Sequence, residues 1–179
     1  MKRNQILHLI LLPLLCVCMS SCDSDTPIFG PGNELPPETT TGANTFGCLV
    51  NSKVWTNGGI PFPYASLGIV EMSDSTLSIY AKRQVPDTLT TIGIHLRIPS
   101  INEGSYFCDS IHVNIRYTIN IGDPVLGFAC TYSHANECKV EITRYDLETR
   151  IVSGRFEALL SKTNCEDIII TEGRFDVRY

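Results

Sequence analysis

The stretch Ile111–Ile121, IHVNIRYTINI, decides the fold because its side chains alternate between apolar and polar along its whole length. The apolar and aromatic positions are Ile111, Val113, Ile115, Tyr117, Ile119 and Ile121. A period of two is that of a β-strand with one face buried and the other in water. The stretch therefore predicts a long strand in an antiparallel sheet, since strands of βαβ units are buried on both faces.

The same period recurs along the rest of the chain. It appears in the segments 46–50, 77–81, 92–98, 152–160 and 175–179. After residue 22, no window of eleven or more residues carries an apolar spacing of 3.6, so helix should be scarce. The pattern predicts an all-β chain: a single antiparallel β-sandwich, or a partly closed barrel, of roughly eight to ten strands.

The N-terminus has the organisation of an export signal. Lys2 and Arg3 precede an apolar run from Ile6 to Met19, which is too short to span a bilayer comfortably. The run ends in Met19-Ser20-Ser21-Cys22, which resembles the lipobox of bacterial lipoproteins. The resemblance implies that residues 1–21 are a signal peptide and that Cys22 carries the lipid, including a palmitate-type chain. The alternatives are an unmodified Cys22 in a secreted protein, or a retained helix.

The next segment, residues 22–43, has a composition typical of a tether. It holds four prolines, a threonine triplet and four acids without a base, so it predicts a disordered linker. The β-rich domain is then residues 44–179, with 15 acids, 12 bases and a net charge of −3. This balance gives no electrostatic footprint for nucleic acid. Near the C-terminus, Asp176 is expected to pair with Arg174 and Arg178 on an exposed face.

Three segments of the domain carry a resemblance to a known family. They are Thr45–Asn51 (TFGCLVN), Val152–Glu157 (VSGRFE) and Ile170–Val177 (ITEGRFDV). These segments resemble a family of short Bacteroidota lipoproteins that has no assigned function. The resemblance implies an exported, lipid-anchored β-domain of the outer membrane, facing either the periplasm or the outside. It supplies no catalytic or binding residues.

The cysteines that follow Cys22 suggest disulfides, which an exported compartment permits. They are Cys48, Cys108, Cys130, Cys138 and Cys165, so at least one thiol is left over. Cys130 and Cys138 flank a polar turn and are predicted to face each other across a hairpin. A second bridge, Cys48–Cys165, would join the two ends of the domain. No CxxC or Cys/His spacing typical of zinc occurs, and we predict neither a metal nor a cofactor.

Two predicted strands present cations on their polar faces. If these strands are neighbours, His95, Arg97, His112 and Arg116 form a patch that can hold a carboxylate, phosphate or sulfate group. The alternative is a solvated sheet face without a ligand. A second candidate site is a set of aromatics in or beside loops, for which core packing is the other explanation. These are Trp55, Phe62, Tyr64, Tyr106 and Phe107.

No catalytic motif accompanies these residues. The chain has no G-x-S-x-G elbow, and we assign no catalytic residue. The sequence therefore favours a non-catalytic domain that binds a glycan, a peptide or a partner protein in the envelope. One alternative is a surface hydrolase acting on glycans, which requires two facing carboxylates. Another is a structural or assembly subunit, which requires a long unpaired edge strand.

Overall fold

The fold is an antiparallel β-sandwich, as the alternation predicts. The computed structural model describes residues 32–60, 64–109, 111–122 and 128–179, and this part of the chain contains no helix. Eleven strands form within these ranges, slightly more than predicted. They are β1 (Thr45–Val50), β2 (Lys53–Thr56), β3 (Leu67–Met72), β4 (Thr76–Val85), β5 (Thr88–Arg97), β6 (Gly104–Phe107), β7 (Val113–Ile121), β8 (Phe128–Tyr132), β9 (Glu137–Asp146), β10 (Ile151–Leu160) and β11 (Ile168–Arg178).

The strands divide into two sheets, in which all neighbouring strands are antiparallel. One sheet has six strands in the order β2-β1-β11-β10-β9-β6, and the other has five in the order β3-β4-β5-β7-β8. The edge strands β2 and β6 have four residues each, and β3 is irregular between Ile69 and Glu71. Short or irregular edges resist pairing with another chain. These three edges therefore give little support to assembly by strand addition, whereas the fourth edge, β8, is a regular strand of five residues.

The core lies between the sheets and is built from the apolar positions of the alternating segments. On the five-stranded sheet, Ile79, Ile94 and Ile115 come from three neighbouring strands and are fully buried. The opposite sheet contributes an aromatic cluster of Phe46, Trp55, Phe156 and Phe175, whose neighbouring ring centroids lie 5.0–6.3 Å apart. The ends of the defining stretch differ from the prediction, because Ile111 precedes β7 and both Ile111 and Ile121 are exposed.

Residues 32–44 lie against the outer face of the six-stranded sheet, and we call them the N-terminal strap. Pro36 covers Gly47 of β1, Arg155 of β10 pairs with Glu38 at 2.5 Å, and Arg144 of β9 donates to Thr40 O. The predicted disorder is therefore wrong for residues 32–43, while residues 22–31 lie outside the described residues. The prediction of disorder rested on the small number of apolar side chains in this segment, whereas polar contacts hold the segment on the sheet.

The strap is fastened by Asp176, which the sequence placed on an exposed face. Asp176 is instead buried, and its carboxylate accepts hydrogen bonds from the strap and from β10 rather than pairing with Arg174 or Arg178. The donors are Thr39 Oγ1 (2.6 Å), Thr41 N (3.0 Å), Gly42 N (2.8 Å), Ala43 N (3.0 Å) and Ser153 Oγ (2.6 Å). The prediction failed because Asp176 is covered by chain that precedes the sheet.

Two disulfides form, and both differ from the predicted pairs. Cys108 is bonded to Cys138, and Cys130 to Cys165, while Cys48 is a buried free thiol in the core. Cys130 and Cys138 do not face each other because β8 and β9 belong to different sheets. The residues between them cross from one sheet to the other instead of closing a hairpin.

Candidate functional site

The predicted cationic residues come together on the outer face of the five-stranded sheet. Strands β5 and β7 are neighbours, with Gly93 opposite Arg116 and His95 opposite Asn114. Because side chains alternate across a sheet, the buried Ile94 and Ile115 leave His95 and Arg116 on the outer side. Arg97 follows His95 on the same side, at the end of β5. We call this side, with Lys82 of β4, the cationic face.

His112 is the exception in the predicted set. It lies beside Arg97, whose backbone N–H donates to His112 O at 2.6 Å, but its imidazole turns to Asp109. His112 Nδ1 and Asp109 Oδ2 are 2.6 Å apart. Backbone hydrogen bonds from Val113 and His112, with the imidazole, hold the pKa of Asp109 far below its usual range. A carboxylate at this distance offsets the charge of a protonated His112, so His112 adds no uncompensated cation.

His95 lies at the centre of the face, in surroundings that disfavour its charged form. Burial lowers its pKa below the ordinary value, and the nearby charges of Arg116 and Arg97 lower it further. Its Nδ1 shares a hydrogen bond of 2.8 Å with Ser78 Oγ on β4. The other side of the ring lies above Gly93, where an added Cβ would come within 2.9 Å of His95 Nε2. The glycine thus makes room for the imidazole to lie on the sheet.

The charges of the two outer faces are organised differently. On the six-stranded sheet four cations pair with acids, in the pairs Lys139–Glu141, Arg144–Asp146, Arg155–Glu38 and Arg174–Glu172. On the cationic face, none of Lys82, Arg97 and Arg116 forms an ion pair with any residue that the structure describes. Glu71 of β3, opposite Ser78, is an acid that the register places on this face, and it forms no ion pair with these three cations.

Tyr80 completes the face, and sequence reasoning missed it. Gly68 of β3 and Gly93 of β5 lie directly beside Tyr80 in the register of the sheet. The phenol end of the ring lies over Gly68, where an added Cβ would approach Oη, Cζ and Cε1 within 2.8–3.0 Å. The Lys82 ammonium is 5.1 Å from the ring centroid. The only signal in the sequence is a pair of glycines within strand-like segments, which marks close approach by another group.

The aromatic candidates from the loops do not form a shared platform. Trp55 is buried, and its Nε1 donates to Thr90 Oγ1 at 2.8 Å. Tyr106 is half-buried and bonded to Asn102, whereas Tyr64 and Phe107 are exposed singly. Phe62 lies outside the described residues. Core packing therefore explains Trp55, the one tryptophan of the chain.

Most acids of one cleft on the six-stranded sheet are engaged in ion pairs. A cleft of about 300 Å³ on the six-stranded sheet holds Glu38, Glu141, Glu157 and Glu172, of which all but Glu157 contact a cation. The hydrogen bond from Arg155 lowers the pKa of Glu38. A general acid of glycoside cleavage needs a raised pKa. This cleft therefore suits ion pairing within the protein better than acid catalysis.

Two further features of the described ranges bear on the site. No group of three or more His, Cys, Asp or Glu side chains in the described ranges is placed to hold a metal ion. No helix in this part of the chain is long and apolar enough to cross a membrane. The lipidation candidate Cys22 lies outside it.

No family model, curated protein or solved structure matches the chain. The resemblance to Bacteroidota lipoproteins therefore stays a prediction, and function has to be argued from the faces of the sandwich.

Proposed function

We propose that the protein is a lipid-anchored component of the cell envelope, held in the outer membrane through Cys22, whose β-sandwich binds an acidic ligand without catalysis. The observation that carries the binding role is the cationic face. Its Arg97 and Arg116 have no acidic partner among the described residues, whereas Lys139, Arg144, Arg155 and Arg174 of the opposite sheet each contact an acid. Guanidinium groups that are free of internal acids can offer paired N–H donors to a carboxylate, phosphate or sulfate.

The envelope location is supported by the N-terminal sequence and by the cross-links. The lipobox-like Met19–Cys22 provides the anchor, and the two disulfides suit an oxidising compartment. Because the strap packs on the sheet, the segment that joins Cys22 to the folded domain is shorter than the sequence predicted. Gly32 lies ten positions after Cys22, and a chain of that length reaches about 35 Å at most. We therefore place the sandwich close to the membrane.

The anchor is tested by replacing the acylated cysteine. Cys22→Ser, expressed with its signal in a bacterium with an outer membrane, is expected to leave the membrane fraction and to lack the acyl mass. The physical reason is that two or more acyl chains bind a bilayer stably and none remains after the substitution. Cys18→Ser lies in the removed signal and serves as the control. Membrane retention of Cys22→Ser equal to that of Cys18→Ser would refute the anchor.

The binding role is tested with three polyanions at low salt: polygalacturonate, dextran sulfate and poly-L-glutamate. We expect the native domain to bind at least one of them, more weakly as salt screens the charges. Arg97→Gln with Arg116→Gln should weaken that binding by about tenfold to a hundredfold, because each charge-assisted hydrogen bond contributes about 1.5 kcal/mol. The measurement is isothermal titration or biolayer interferometry.

A matched control removes the same charge from the other sheet. Arg150→Gln with Arg155→Gln changes two exposed arginines there, of which Arg155 is already paired with Glu38. This control is expected to keep native affinity. Binding to none of the three polyanions, or equal losses in the two double variants, would show that the cationic face is not a binding site.

A further inference from the structure

We infer that the acidic ligand is a polysaccharide, with one sugar ring packed on Tyr80 and its carboxylate or sulfate groups held by Arg116 and Arg97. This inference rests on the proposed function, because it uses the same cationic face. It adds the chemical class of the ligand and one residue, Tyr80, that contacts the sugar ring.

The first argument is the flatness of the surface around Tyr80. One row across the sheet runs Gly68, Tyr80, Gly93, Arg116, over four neighbouring strands. The two glycines have no side chains to rise above the sheet, so the Tyr80 phenol lies over one and the His95 imidazole over the other. Planar groups therefore lie along a row of about 14 Å, at about 4.8 Å per strand. The Lys82 ammonium lies over the Tyr80 ring, 5.1 Å from its centroid, so a sugar ring that packs on Tyr80 displaces this lysine side chain.

The second argument is that a positively charged residue, Arg116, lies at one end of this row. A tyrosine ring offers an apolar face and a polar edge, which suits the C–H face and the hydroxyls of a pyranose. Arg116 lies two strands from Tyr80, or about 10 Å between Cα atoms. On the nearer side, the Lys82 ammonium lies 5.1 Å from the ring centroid. A polymer that alternates rings with acid groups matches both the ring and the flanking cations.

The third argument separates a polysaccharide from an acidic peptide. Peptides bind β-proteins by extending a sheet edge or by filling a groove. The cationic face is the middle of a sheet, with Tyr80 on β4 and Arg116 on β7, both internal strands. The clefts described on the molecule are lined by the six-stranded sheet and the strap instead. A flat internal face therefore favours stacking of rings over either mode of peptide binding.

The test compares ligands that differ in rings and in charge. Polygalacturonate and dextran sulfate carry both, poly-L-glutamate carries charge without sugar rings, and dextran carries rings without charge. We expect at least one acidic polysaccharide to bind about tenfold more tightly than poly-L-glutamate, and dextran to bind least. Tyr80→Leu should weaken polysaccharide binding by about tenfold and leave poly-L-glutamate binding unchanged, whereas Tyr80→Phe should retain most of the affinity.

A second variant tests the position of the ring without removing it. Gly68→Ala places a Cβ within 3.0 Å of the Tyr80 phenol, so the ring must move from the sheet. It should weaken polysaccharide binding, while Gly32→Ala, whose Cβ would meet only ordinary contacts of 3.5 Å or more, should not. Thermal melting of each variant establishes that it is folded.

The outcomes distinguish the inference from the function on which it rests. Equal affinities for poly-L-glutamate and the acidic polysaccharides, unchanged by Tyr80→Leu, would overturn the polysaccharide and leave an anion-binding face. Failure of every polyanion to bind would overturn the proposed function itself. Selective polysaccharide binding that depends on Tyr80 and on the arginines supports both.

Discussion

Replacing Cys130 and Cys165 together by alanine is expected to lower the free energy of unfolding by about 4 kcal/mol. The bridge joins β8 of the five-stranded sheet to the connection between β10 and β11 of the other sheet. Its cysteines are 35 residues apart, and closing a loop of that length removes much of the conformational entropy of the unfolded chain. Of the two bridges, this one links the two layers of the sandwich.

The effect can be measured by denaturant unfolding of the native protein and the double variant, each with and without reductant. Reductant should destabilise the native protein more than the variant, because the variant has only Cys108–Cys138 left to lose. Removal of all four bridged cysteines should abolish the response to reductant. Burial raises the pKa of the Cys48 thiol, so Cys48 should stay protonated and should not exchange with the bridges. Non-reduced peptides joining Cys130 to Cys138 would contradict this pairing.

The fold was predictable because alternation is a local property. The segments 92–98 and 111–121 each carry enough residues to fix which side is buried, and Ile94 and Ile115 are indeed fully enclosed. The cysteine pairs were not predictable in this way. The residues between Cys130 and Cys138 have the composition of a hairpin turn, and nothing local distinguishes a turn within one sheet from a crossing between two sheets.

The residues of the candidate site were predictable only where their placement depends on the pairing of two strands. The patch of His95, Arg97 and Arg116 follows from the pairing of β5 with β7, two long alternating strands that are neighbours in the sheet although β6 lies between them in the chain. Tyr80 depends on the register of four strands at once, since Gly68 and Gly93 must both lie beside it. His112 was misjudged because its partner Asp109, three residues earlier, lies outside the alternating stretch.

The strap shows why a composition argument can misplace a domain boundary. Residues 32–43 bury too few apolar atoms to order themselves. Their order comes from acceptors and donors on the sheet, chiefly the carboxylate of Asp176 and the side chains of Arg144, Arg155 and Arg174. Those partners lie more than 100 positions later in the chain.

Asp176→Asn is expected to lower the free energy of unfolding by about 3 kcal/mol and to release the strap. The carboxylate accepts five hydrogen bonds, three at Oδ2 and two at Oδ1. The amide of asparagine has only one oxygen, so its NH₂ group must replace the other oxygen. The donors that bonded to that oxygen then face another donor and lose their acceptor. Asp146→Asn is the matched control, since that carboxylate lies at a turn and its replacement should destabilise the fold much less.

The pH dependence gives this prediction a direction. Burial alone would raise the pKa of Asp176, but hydrogen bonds from Ala43, Ser153, Thr39 and Gly42 outweigh it and lower the pKa to about 2. A lowered carboxylate pKa stabilises the fold above the unfolded value of 3.8, and this stabilisation is lost as the pH falls toward 2. Over that pH range, the free energy of unfolding of the native protein should therefore fall by roughly 2 kcal/mol more than that of Asp176→Asn.

The measurement is the difference in unfolding free energy between the native protein and Asp176→Asn from pH 7 to pH 2. Asp109 and Asp146, whose pKa values are also lowered, titrate in both proteins and cancel in the difference. The difference should be largest at neutral pH and should shrink in acid. Amide exchange at Thr41, Gly42 and Ala43 should quicken in the variant, because these N–H groups lose their acceptor. A difference that stays constant with pH, or strap amides that remain protected, would mean that Asp176 does not fasten the strap.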